Sequence, residues 1–283
     1  MGQPFELKRV DATLGAVVAG VRLAEIDEAG FSALYAAWLE HALLILPGQN
    51  LTREEQVAFA RRFGDLEIPI TPISNVRSDG SVRPPDDDVM KVLQGNMIWH
   101  ADSTYMPVQA KGAVFSAQII PSRGGETGWA DMRAAWDDLP AALKAKVEGL
   151  SAHHSLVYSQ AKLGHAHSAG SSYSGYGMTE GGAPLRPLVK RHPETGRLSL
   201  NIGRHAHAIP GLSETESEAL LEELTDFACR PPRLWQHEWS PGDVVIWDNR
   251  CLLHRALPWD LAEPRVMHHS RIAGDPVSEA AAA

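Results

Sequence analysis

Trp99-His100-Ala101-Asp102 sets an imidazole and a carboxylate two residues apart. In an extended segment side chains alternate with a period of two, so His100 and Asp102 point the same way. A ring nitrogen and a carboxylate oxygen can then reach one ion. Two ligands rarely hold a metal, and the best third candidate is His254, just after Trp247-Asp248-Asn249-Arg250-Cys251-Leu252-Leu253. Two histidines and one carboxylate form the facial triad of non-haem Fe(II) oxygenases, which leaves coordination positions open for a co-substrate and O2. A His-x-Asp pair alone carries little weight, since many are solvated loop residues.

These residues need a scaffold that brings distant positions together. Residues 4–24 alternate weakly and read as short strands and turns. Asp27 precedes Phe31, Leu34, Tyr35, Trp38 and Leu39, whose spacing predicts a helix to about His41. Ala42–Leu46 reads as a buried strand stopped by Pro47-Gly48. Thr52 with Glu55 forms a capping box that opens a helix to about Phe63. Residues 65–88, rich in Pro, Asp and Ser, read as a long loop, and long loops often serve as lids. Strands are expected at 89–93 and 112–119, a helix from Asp131 to about Gly149, and a strand at 151–157. A second loop over the site is expected at 159–186. A hairpin at 187–202 turns through His192-Pro193-Glu194-Thr195-Gly196, and Ser213 with Glu216 caps a helix to about Ala228. Four strands follow at 234–239, 243–247, 252–256 and 265–272, then a tail, 274–283, expected to fray. Many short strands with few helices imply a mixed α+β, mainly β chain. Its core would be a jelly roll (a double-stranded β-helix) with flanking helices, forming one domain over 1–283.

Composition sets limits. A net charge of −9 argues against a general nucleic-acid binder, although a few local Arg could still bind an anionic small molecule. The longest apolar runs are too short to span a bilayer, so no membrane role is expected. Cys229 and Cys251 sit in no metal-type spacing and are too few for a disulfide scaffold. With no basic region leading into an apolar run at the N-terminus, this points to the cytoplasm. No Gly-x-Ser-x-Gly elbow and no phosphate-binding Gly-Lys-Ser/Thr loop is present, which disfavours serine hydrolases and P-loop enzymes.

Taken together, Trp99-His100-Ala101-Asp102, Gly124-Gly125-Glu126-Thr127, His192-Pro193-Glu194-Thr195-Gly196-Arg197, Trp247-Asp248-Asn249-Arg250, His254 and Arg265-Val266-Met267-His268 resemble the taurine dioxygenase and dichlorophenoxyacetate dioxygenase family. That resemblance implies an Fe(II)- and 2-oxoglutarate-dependent oxygenase using O2, with His100, Asp102 and His254 on the iron. It also implies that Thr127, 27 positions after His100, and Arg265, 11 after His254, hold the distal carboxylate of 2-oxoglutarate. Those residue types suit the task, because a planar guanidinium takes a carboxylate in bidentate fashion and a hydroxyl adds a donor.

Within the family the text is similar to the bacterial aryloxyalkanoate (phenoxypropionate) dioxygenases in Asn96–Pro107, His154–Gln160 and Gly203–Gly211. Their reaction hydroxylates the carbon beside the ether oxygen of 2-phenoxypropionates such as dichlorprop and mecoprop, or of phenoxyacetates. It releases a phenol and an oxo acid (pyruvate or glyoxylate) with succinate and CO2. The resemblance places Asn96, Ser103 and His205 at the substrate. It departs from the taurine enzyme where an Arg four residues after the oxoglutarate Arg is replaced by His269, and where Phe63-Gly64 is followed by no His. Arg271, on the same expected strand face as Arg265 and His269, is the substituted candidate for the substrate carboxylate, with residues 68–76 and 158–178 closing over the ring. A small aryloxy acid is the expected partner, within a homo-oligomer. The alternatives are the same chemistry on another small organic acid or sulfonate, or a jelly-roll metal-binding protein without turnover. His205-Ala206-His207 also forms a same-face pair, but with no third ligand for zinc.

Overall fold

In the computed structural model, which describes residues 4–165 and 182–282, fifteen strands and seven α-helices are formed by the described residues. The strands are β1 (Glu6–Arg9), β2 (Ala16–Ala19), β3 (Leu43–Leu46), β4 (Leu66–Ser74), β5 (Gly112–Ile119), β6 (Thr127–Asp131), β7 (Ser151–His154) and β8 (Leu185–Pro187). They continue as β9 (Val189–Arg191), β10 (Leu198–Leu200), β11 (Ala206–His207), β12 (Leu234–His237), β13 (Val244–Asp248), β14 (Leu252–Ala256) and β15 (Val266–Ile272). The helices are α1 (Glu28–His41), α2 (Arg53–Ala60), α3 (Asp88–Gly95), α4 (Met132–Asp138), α5 (Ala141–Val147), α6 (Leu156–Ala161) and α7 (Glu214–Ala228).

A seven-stranded sheet in the order β1-β2-β3-β13-β5-β15-β4 faces a three-stranded sheet, β12-β6-β14. The mixed, mainly β jelly roll is thus the observed architecture. Both faces of the larger sheet are covered, which is why β3 is an unbroken apolar run. Leu44, Leu46, Val244 and Ile246 pack under Phe31, Leu34, Trp38 and Phe59 of α1 and α2. Their alternate neighbours Leu43, Ile45, Val245 and Trp247 point between the sheets toward Trp129, Leu252 and Met267. A methyl group on Gly112 would meet the Trp247 carbonyl at 2.6 Å, so the close pairing of β5 with β13 requires glycine there.

Both capping boxes form: Thr52 with Glu55 on α2, and Ser213 with Glu216 on α7. The hairpin pairs Leu198 with Arg191 as expected. Other expectations are corrected. The stretch 65–88 is not one loop, because Leu66–Ser74 is the edge strand β4, paired with β15. The expected strand at 89–93 is the helix α3, capped by Asp87, whose side chain accepts from Val89 N. The single helix at 131–149 is two. Pro140 restricts Leu139 to an extended conformation and starts α5 afresh. The expected strand at 151–157 is β7 only to His154; Ser155 then caps α6, which runs into the start of the second expected loop. The rest of that loop, 166–181, lies outside the described residues, as does the closing role given to 158–178 over that span.

The tail, expected to fray, is hydrogen-bonded to the rest of the chain through Ala282. Gln109 N donates to Glu279 O (3.0 Å), Ala281 N to Pro107 O (2.9 Å) and Ala282 N to Leu185 O (2.9 Å). The Glu279 carboxylate is buried against Lys190. Arg186, also buried, donates to Thr104 O, Met106 O and Glu279 O, so one guanidinium ties the segment after Asp102 to the tail. No helix among the described residues is long and apolar enough to cross a membrane.

Candidate active site

His100 and His254 meet across a short antiparallel bridge. His100 N donates to His254 O (3.0 Å) and His254 N to His100 O (2.8 Å), which brings the two rings together, tilted by 49° with centroids 4.2 Å apart. The Asp102 backbone is clamped by Asn249: Asp102 N donates to its Oδ1 (2.7 Å), and its Nδ2 donates to Asp102 O (2.9 Å). One ligand-capable atom from each of His100, Asp102 and His254 lies within 4.8 Å of the others, and all three residues are 7% exposed. The His100 Nδ1–H donates to Ile98 O (2.7 Å), which fixes the tautomer and leaves Nε2 for the cavity.

These residues fit a divalent metal. Asp102 Oδ2 is buried with no hydrogen-bond partner, an arrangement that costs free energy unless a cation completes it. Burial pushes the His254 imidazole down to about 4 against the opposing pull of Asp102, and burial lowers His100 well below its ordinary value. Both rings are therefore neutral at pH 7, the form that ligates. Burial alone would raise the Asp102 carboxyl, but Arg271 and the surrounding imidazoles hold it below the usual carboxylate range.

The triad opens into a pocket that Thr127 and Arg265 also line. Thr127 begins β6, with His237 of β12 on one side and Ala256 of β14 on the other. Its hydroxyl oxygen accepts from Trp239 Nε1 (3.0 Å), which leaves the hydroxyl hydrogen for a ligand. Arg265 is 3% exposed; Nε and Nη2 both donate to Gly125 O (3.2 and 3.0 Å), and the guanidinium lies over Trp259. Gly125 has φ +72°, and a methyl group there would meet Arg265 Nε at 3.2 Å. Burial lowers Arg265 to about 10, so it is cationic at neutral pH, yet among the described residues no carboxylate forms an ion pair with it. A buried guanidinium with no close ion-pair partner, beside a free hydroxyl hydrogen, suits an anionic ligand. Trp239→Phe should raise the 2-oxoglutarate KM by roughly 3- to 10-fold, the worth of one hydrogen bond. The aryloxy-acid KM should stay put, and equal changes in both would mean that Trp239 only supports the fold.

Of the residues expected at the substrate, Asn96, His205, His269 and Arg271 line the cavity. Ser103 does not; it is fully buried, and its hydroxyl donates to Glu67 (2.7 Å). Arg271 lines the cavity, and its guanidinium is engaged by Asp102, Ser103 and Glu67. His205 Nδ1 donates to Ser159 Oγ (2.9 Å), whose own hydrogen goes to Leu156 O. His207 points elsewhere, stacked on Tyr158 beside His153, so the pair does not converge on a metal. Sequence reasoning missed Arg204, Gln160 and Tyr105 in the lining; Arg204 sits within Gly203–Gly211, beside His205. His192, Asp248 and Cys251 also converge, but His192 Nε2–H is used on Asp248 (2.9 Å) and its Nδ1 accepts from Glu194 N and Thr195 N.

A jelly roll carrying a buried His-x-Asp…His cluster, with Arg265 lining the same cavity, defines a non-haem oxygenase class of site. A family model described as "Taurine catabolism dioxygenase TauD, TfdA family" matches residues 6–272, and the chain belongs to that family. Its relatives include an (S)-phenoxypropionate/alpha-ketoglutarate-dioxygenase of Sphingobium herbicidovorans, 65% identical over all of both chains. One of the same description from Delftia acidovorans is 61% identical over all of this chain and 99% of that one. The crystal structure of AAD-2 in complex with Mn(II) and N-oxalylglycine superposes with a TM-score of 0.88 at 32% identity, covering 95% of this chain and 97% of that one.

Proposed function

We propose that this protein is an Fe(II)- and 2-oxoglutarate-dependent dioxygenase that hydroxylates 2-phenoxypropionates, and less readily phenoxyacetates, at the carbon beside the ether oxygen. The observation that carries the reading is the buried Arg265 guanidinium, without an ion-pair partner among the described residues, lining the same cavity as the triad. Bound Fe(II), with 2-oxoglutarate and O2 as co-substrates, supplies the oxidising power that replaces C–H by C–OH. The chain's part is binding, orientation and exclusion of water. His100, Asp102 and His254 would hold the metal. Arg265 and Thr127 would hold the far carboxylate of 2-oxoglutarate. Ile73, Val92, Phe115 and Leu156 give the cavity apolar walls suited to an aryl ring. The hydroxylated carbon then parts from the ether oxygen, giving a phenol and, from a propionate, pyruvate; 2-oxoglutarate leaves as succinate and CO2. The reading includes a single domain and a cytoplasmic homo-oligomer acting on a small molecule.

With Arg271 engaged, Arg204 is the cation best placed for the substrate carboxylate; it lines the cavity next to His205, and its Nη2 donates to Ser159 Oγ (3.3 Å). A panel of (S)- and (R)-2-phenoxypropionates, phenoxyacetate, taurine and an alkyl sulfate, scored by succinate release, tests both points. Phenoxypropionates should lead; preference for taurine or the sulfate would reject the substrate assignment. Arg204→Leu should raise the phenoxypropionate KM by roughly 10- to 100-fold, the loss of a charge-assisted contact, and leave the binding of 2-oxoglutarate as it was.

A further inference from the structure

Arg271 comes from β15 and is 6% exposed. Its Nη2 donates to Asp102 Oδ1 (3.3 Å), and its Nη1 to Ser103 Oγ (3.1 Å) and Glu67 Oε1 (3.3 Å). Ser103 in turn donates to both Glu67 oxygens (2.7 and 2.9 Å). Two backbone irregularities make this possible. The pairing of β15 with β4 slips between His269, opposite Thr71, and Arg271, opposite Ile68, which brings Glu67 within reach of Arg271. Ser103 has φ +56°, a left-handed residue directly after Asp102 that turns its hydroxyl back toward the same pair.

The Asp102 backbone and carboxylate are thus held by separate devices. Asn249 fixes the backbone, while Arg271 takes Oδ1 and leaves Oδ2 without a hydrogen-bond partner. We infer that Arg271, braced by Glu67 and Ser103, is a positioning residue that sets the orientation of the Asp102 carboxylate for metal binding. This rests on the metal site proposed above. A guanidinium on one oxygen restricts rotation of the carboxylate and directs the other oxygen to the ion. Partners that orient a metal ligand typically contribute 10- to 100-fold to metal affinity. Lysine could supply the charge but not the planar fork, and glutamine only a neutral donor.

The test is titration of the full chain with Mn(II), followed by the electron paramagnetic resonance signal of free Mn(II), with thermal melting as the check on folding. Arg271→Gln should weaken Mn(II) binding by roughly 10- to 100-fold, Arg271→Lys should recover part of the loss, and Glu67→Gln should weaken it a few-fold. At saturating metal the 2-oxoglutarate KM should move less than about threefold, because Arg265 and Thr127 are untouched. Unchanged Mn(II) affinity in folded Arg271→Gln overturns the inference; should that variant not fold, unchanged affinity in Glu67→Gln does so. Failure of the metal site itself looks different: the unmodified chain would bind no Mn(II), or Asp102→Asn would bind it normally.

Discussion

Asp102→Ala should lose bound iron and turn over at least about a thousand-fold more slowly, a barrier change of about 4 kcal/mol. Two imidazoles from one short β-bridge remain in that variant, and they lack the anionic ligand. His100→Ala and His254→Ala should behave alike, since each leaves one imidazole and the carboxylate. Asp102→Ala also removes one of the two carboxylates paired with Arg271, leaving Glu67, so some loss of stability is expected. The comparison is therefore made with Asp102→Asn as well, which keeps the shape, and with melting curves for both. Iron content by chelator assay and succinate release are the measurements. An Asp102→Ala protein with normal iron and normal activity would remove the triad from consideration.

Arg265→Ala should weaken 2-oxoglutarate binding by about 30- to 1000-fold, from the loss of roughly 2–4 kcal/mol in a buried charge-assisted contact. Metal affinity should change little, because Arg265 makes its hydrogen bonds to Gly125 O and Asn75 Oδ1 and none to the triad. Calorimetric titration of 2-oxoglutarate into the Mn(II)-loaded protein separates the two effects. Unchanged 2-oxoglutarate affinity would show that Arg265 has been misassigned.

Much of this site can be read from the sequence because its parts are rare in type and local in spacing. His-x-Asp needs only an extended segment, and the capping boxes at Thr52–Glu55 and Ser213–Glu216 lie within one turn. What escapes is decided at long range. β4 contains Pro69 and Pro72 and so reads as loop, but it is the edge of its sheet, where proline is tolerated. α3 carries Val89, Met90, Val92 and Leu93 in a short apolar cluster that suits a strand equally well; the Asp87 cap and the burial of Met90 and Leu93 on one side make it a helix. Arg271 does share a face with the cavity, as alternation predicts, yet Glu67, 204 positions earlier, engages it, and no local pattern reveals that. The same holds for Glu279, whose partners Lys190 and Arg186 lie far upstream.

The attachment of the tail gives the site an order in time. His100 cannot form its bridge until His254 has been made, and Pro107 and Gln109, just past the carboxylate, wait for Ala281 and Glu279. Contacts between such distant positions carry a large loop-closure entropy and form slowly. The helices α1 and α2 are held by local contacts, whereas the segment that carries the first two metal ligands is fastened by residues about 170 positions downstream. The metal site thus depends on long-range closure and not on the local segment that carries His100 and Asp102.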